Sequence, residues 1–139
     1  MKNVYPVFFT KTEDCVLVEV PDLEILTEGK DMNDAIFMAR DAIELKCVSM
    51  EDAKEDIPEP SEIIDLDITK ATFAEEGTTV ISLVDIDSTE YRRKIDTRTV
   101  RRNVALPSWL NYEAEHAGIN VSRVLQEALM NVLGVKRNI

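Results

Sequence analysis

Thr99, Arg101, Arg102 and Asn103 fall within one short run, TVRRNVALPSWL, residues 99–110. These side chains suit nucleic acid. A guanidinium can bond guanine O6 and N7 together, an asparagine amide can do the same with adenine, and a hydroxyl can bond either. Strand alternation places Thr99, Arg101, Asn103 and Ala105 on one face and Val100, Val104 and Leu106 on the other, with Arg102 breaking the apolar row. One face of such a strand packs on something apolar and the other faces out. Downstream, Asn120 and Ser122 open a helix whose free N–H groups and positive dipole end suit a phosphate. Arg102 and Arg123 can add charge contacts there.

No equivalent case exists for catalysis. Asp14, Glu19, Asp22, Asp65 and Asp67 could in principle gather two divalent ions, but residues 1–95 hold 23 Asp and Glu, so chance proximity is guaranteed. They are read as a solvated face. His116 has no Cys or His at ligand spacing and suits a helix C-terminus. Cys15 and Cys47 form no CxxC pair and are read as free, buried thiols of a reducing compartment. The chain is therefore expected to be no enzyme and to need neither metal nor cofactor.

Charge divides the chain in two. Residues 1–95 carry 10 Lys and Arg against 23 Asp and Glu, whereas residues 96–139 carry 6 against 4, within a formal net charge of −11. Such asymmetry points to two different partners. With 45% hydrophobic and 31% charged residues the chain is expected to fold. The opening MKNVYPVFFTKTED is too short in apolar residues for a signal peptide or a membrane span, so a cytoplasmic location and no membrane partner are expected.

The elements that would position these groups follow from pattern. VYPVFF (4–9), CVLVEV (15–20) and EILTEG (24–29) read as an antiparallel meander, with Pro6 suggesting an edge position or a bulge. KDMNDAIFMARDAIELKCVSM places Met32, Ala35, Ile36, Ala39, Ile43 and Cys47 at helical spacing behind Asp31 as N-cap. A separate helical turn is expected in SMEDAKED, and IPEPSEIIDLDI reads as a loop. TTVISLVDI (78–86) is a fourth strand of the same sheet. STEYRRKIDT, polar and without an apolar period, reads as a connector.

From Thr97 a strand to Leu106 leads into a helix opened by Pro107 and Ser108, ended by Gly118, and followed by a second helix capped by Asn120. Trp109 is expected to pack the corner between strand and helix. The second helix aligns Val121, Val124, Leu125, Ala128, Leu129, Val132 and Leu133. About 40 residues cannot cover that stripe or pair a lone strand. A second copy can, by forming a two-stranded ribbon of the size that enters the DNA major groove.

The run TVRRNVALPSWLNYEAEHAGINVSRVLQEALMNVLG thus resembles a ribbon-helix-helix DNA-binding domain over its full length. The first part resembles the HicB antitoxin domain: YPVFF stands for the family's opening motif, VPDLEILTEG for its Pro-Asp-Leu motif, and NDAIFMARDAIEL for its helix. Two loops depart from the family, TKTEDC between the first strands and Glu24-Ile25 after the Pro-Asp-Leu motif. The resemblance implies an α+β fold. An antiparallel sheet with helices, akin to a partial RNase H fold, would span residues 1–87, a linker 88–96, and a ribbon-helix-helix dimerisation domain 97–139.

It further implies a type II toxin–antitoxin system. The acidic face of residues 1–87 would bind and block a HicA-like toxin, a small basic ribonuclease that cleaves mRNA. The homodimeric second domain would bind operator double-stranded DNA and repress its own operon, with a tetramer if the first domains also associate. The residues alone leave two other readings open: a stand-alone ribbon-helix-helix repressor with a ligand-sensing first domain, and an RNA-processing enzyme dependent on Mg²⁺.

Overall fold

A computed structural model describes residues 1–136; the last three residues of the expected second domain lie outside them. The chain forms two compact units, the first Met1–Asp96 and the second beginning at Thr97.

The first unit is built on an antiparallel sheet of β1 (Lys2–Lys11), β2 (Val16–Val20), β3 (Ile25–Gly29) and β4 (Thr78–Asp87), ordered β3-β2-β1-β4. β1 is therefore an inner strand. Pro6 is tolerated there because β2 pairs only with Phe8–Lys11. Before Phe8 the β2 flank of β1 has no strand partner, so the fully buried Pro6, without an N–H, forfeits no ladder bond on that side. The edge expected at Pro6 exists only locally.

Alternation sorts β1 into two faces. Tyr5, Val7 and Phe9 join Val16, Val18, Val20 and Val84 beneath α1 (Met32–Asp52), which supplies Ala35, Ala39, Ile43 and Cys47. These four helical residues repeat every fourth position and are fully buried. Small residues at the first two positions let the helix lie close to the sheet. The approach is tight at its start: a Cβ on Gly29 would lie 2.3 Å from the backbone nitrogen of Ala35. Asp31 caps α1 by accepting from the Asp34 N–H at 2.8 Å, and Asp34 accepts in turn from the Lys30 N–H at 2.8 Å. The helical turn expected separately in SMEDAKED is, over Ser49–Asp52, the continuous end of α1, and the rest of that run lies beyond the helix.

The segment 53–77 crosses to the other face of the sheet. On its way the Tyr5 hydroxyl donates to the Pro58 carbonyl, and Asp22 accepts from the Ser61 N–H at 2.9 Å. Thr72 then donates its N–H to Glu19, the residue paired with Phe8. Phe8 and Thr10 are buried as a result. This segment is mostly irregular, with 3₁₀ turns at Ile63–Asp65 and Ile68–Lys70. Cys47 is buried, whereas Cys15 is only half-buried, and both thiols are free.

The connector expected over residues 88–96 is instead largely α2 (Ser88–Ile95), and its start is docked. Asp87 caps it by accepting from the Thr89 and Glu90 N–H groups, and Ser88 is fully buried. Arg92 reaches Glu51 at 3.0 Å and Asp52 at 2.8 Å on α1. Ion pairing with the end of α1 holds the helix where no apolar stripe does.

The second unit contains α3 (Ser108–His116) and α4 (Val121–Leu133). The strand expected over Thr97–Leu106 does not form within one chain: the four paired strands all belong to the first unit. A strand needs a ladder partner, and a single copy of this segment has none in that sheet.

Candidate nucleic-acid interface in the second unit

Among the described residues the second unit has no buried side chain at all. Val100 is 84% exposed, Val132 83% and Leu133 71%, and Val104, Val124 and Leu129 are each more than half exposed. Burying a Val or Leu side chain contributes about 1.5–3 kcal/mol. An α4 stripe of Val121, Val124, Leu125, Leu129, Val132 and Leu133 left in water forgoes on the order of 10 kcal/mol by that measure. Trp109 is 63% exposed, and within one chain there is no strand beside it to make the expected corner.

Thr99, Arg101, Arg102 and Asn103 lie together in the irregular, exposed segment that precedes α3. Asn120, Ser122 and Arg123 lie together at the start of α4. Asn120 has a structural task there, since its Oδ1 accepts from the Arg123 N–H at 3.2 Å. That bond satisfies one of the orphan donors of the first turn and leaves the N–H groups of Val121 and Ser122 for a ligand. The Arg123 guanidinium bonds Glu127 one turn on, with Nε 3.2 Å from Oε1. Its charge is thus partly balanced on its own helix, and an exposed pair of this kind is worth little and is readily exchanged.

Between the helices Gly118 adopts φ 67°, the left-handed region that ends α3 and turns the chain toward α4. His116 stacks on Tyr112 with ring centroids 3.9 Å apart, and its Nδ1 lies 3.0 Å from the Tyr112 carbonyl oxygen. The histidine closes the end of α3 and faces no ligand set.

Three of the five candidate acids, Glu19, Asp22 and Asp67, accept from backbone and hydroxyl groups of the same unit. Glu19 holds Thr72, Asp22 holds Ser61, and Asp67 caps the turn at Thr69, whose hydrogen bonds keep its carboxyl below the usual carboxylate range. Among the described residues no group of three or more His, Cys, Asp or Glu side chains could hold a metal ion. No helix among them is long and apolar enough to cross a membrane. Arg40 and Arg92, two of the three arginines of this unit, are ion-paired to acids of the same unit.

Two solved structures share this fold. A toxin–antitoxin complex from Streptococcus pneumoniae contains a chain 22% identical, at TM-score 0.59, with 94% of this chain and 99% of that one covered. The antitoxin HicB of Burkholderia pseudomallei is 23% identical at TM-score 0.51, with 95% and 97% covered. No curated protein matches the chain. The family model described as the HicB-like antitoxin of bacterial toxin–antitoxin systems matches residues 5–127, from the first strand into α4. The chain, with its four-stranded antiparallel sheet and four helices, belongs to the HicB-like antitoxins.

Proposed function

We propose that this antitoxin works through two surfaces, one for a protein and one for DNA. The acidic first unit covers a HicA-like toxin, a small basic ribonuclease. The strong excess of Asp and Glu over residues 1–95 steers a basic protein inward and repels its RNA substrate. In the second unit, two copies pair residues 99–106 as an antiparallel ribbon and cover the α4 stripe of each with the other. Thr99, Arg101 and Asn103 then read base edges in the major groove. Arg102, Ser122 and Arg123 hold the backbone, with Asn120 keeping the first turn of α4 in shape for a phosphate. Binding at its own operator makes the protein an autorepressor, acting in the cytoplasm as a homodimer or a higher assembly. It catalyses no reaction itself.

The observation that carries this reading is that, among the described residues, the second unit has no buried residue behind the exposed segment that holds Arg101 and Arg102. A fold with no core of its own needs a second copy before it has a working surface. The DNA half is tested with DNA from the promoter region upstream of the protein's own gene. Titrated at fixed salt, Arg101→Ala weakens binding by about 1–3 kcal/mol while the fold is kept. Unchanged affinity removes Arg101 from the reading face.

A further inference from the structure

β4 is an edge strand of ten residues with an unbulged register against β1. Its free edge is guarded at one end only. Arg40 Nε donates to the Asp85 carbonyl at 3.0 Å, and the Asp87 N–H lies 3.5 Å from Glu44 Oε1. Both backbone groups therefore point away from β1. By alternation the N–H and C=O groups of Thr79, Ile81 and Leu83 point the same way. Among the described residues nothing bonds to them. The stretch carries no Lys, Pro or bulge, the usual devices that keep an edge from pairing. Val80 and Leu83, on opposite faces of the strand, stay 47% and 55% exposed.

We propose that the open edge Thr79–Leu83 is an interface between the first units of two copies of this chain, paired antiparallel about Ile81. The register follows from the outward groups. With Ile81 opposite Ile81, Thr79 falls opposite Leu83 and Leu83 opposite Thr79, so every open group on one copy meets one on the other. The guards begin where this self-matching stretch ends.

The charge pattern permits the pairing although both units are acidic. No charged residue lies between Glu76 and Asp85. In this register the two Asp85 residues sit roughly 27 Å apart along the strands, at about 3.4 Å per residue, well beyond the screening length of about 8 Å at physiological salt. The acids that fall nearest each other across the seam, Asp85 and Asp87 of one copy and Glu75 and Glu76 of the other, lie at its two ends, outside Thr79–Leu83. Asp85 is also ion-paired to Arg40 at 2.9 Å. The two sheets would join into one of eight strands, within the ordinary range of sheet size.

A cysteine at the two-fold position tests both the interface and its register. Facing residues of a hydrogen-bonded antiparallel pair have Cα atoms about 5.5 Å apart, inside the range a disulfide spans. Under mild oxidation of the full chain, Ile81→Cys yields a covalent dimer, while Asp85→Cys and the unaltered chain, with Cys15 and Cys47, do not. Adding Leu83→Lys to Ile81→Cys abolishes the crosslink, with an unchanged thermal midpoint showing that the fold is kept. Crosslinking of Ile81→Cys no faster than Asp85→Cys overturns the proposal. So does an Ile81→Pro chain that loses a separate protein partner while Ile81→Cys stays monomeric on oxidation, for that result gives the edge to the partner.

Discussion

The Tyr5 hydroxyl donates to the Pro58 carbonyl oxygen at 2.8 Å, tying β1 to the segment that leaves α1. Burial, with added repulsion from Cys47, Glu59 and Asp22, pushes the phenol from its usual 10.0 up to about 12. The folded state thus holds this proton more tightly than the unfolded chain. The contribution is complete below the unfolded value and disappears as pH rises from 10.0 toward about 12. The urea midpoint of the unaltered chain is expected to fall across that window more steeply than that of Tyr5→Phe. Parallel slopes for the two chains would mean that Tyr5 titrates as it does in water.

Glu24 follows the 3₁₀ turn Pro21–Leu23 and sits at φ 54°. A residue with a Cβ is held there at a cost of about 1–2 kcal/mol. Glu24→Gly relieves that cost and is expected to raise stability by about 1 kcal/mol, the remainder being lost to the freer unfolded chain. A denaturation midpoint equal to or below that of the unaltered chain contradicts this.

Gly77 leads into β4 against the end of β1, where an added Cβ would lie 2.1 Å from the Lys11 carbonyl oxygen. The obstacle is backbone and cannot rotate away. Gly77→Ala is expected to destabilise the first unit by about 2 kcal/mol, read as a lower thermal midpoint. A midpoint unchanged within error would mean that the β1–β4 turn shifts freely.

Much of this was legible in the residues. Apolar spacing in α1 and α4, Asp31 and Asn120 as caps, and the return of β4 to the sheet all express local physics that a single chain carries. α2 was not legible because it has no apolar period. Its only signal was the cap pattern of Asp87 followed by Glu90, and its anchorage by Arg92 on Glu51 and Asp52 spans about forty residues of sequence. The strand from Thr97 was read for a ribbon of two copies, and a strand whose ladder partner lies on another molecule has no ladder in one. In the candidate interface the residue types were legible. The bond from the Arg123 N–H to Asn120 and the pairing of Arg123 with Glu127 emerge only when α4 is built.

Partner capture tests the central claim most directly. The tagged full chain is expressed in its native host and recovered at moderate salt, and any small protein that accompanies it is identified by mass. The account predicts a stoichiometric, basic partner that cleaves RNA when purified alone and stops when this chain is restored. Recovery of the chain with no such partner, or with one whose RNA cleavage is undiminished in the complex, would contradict it.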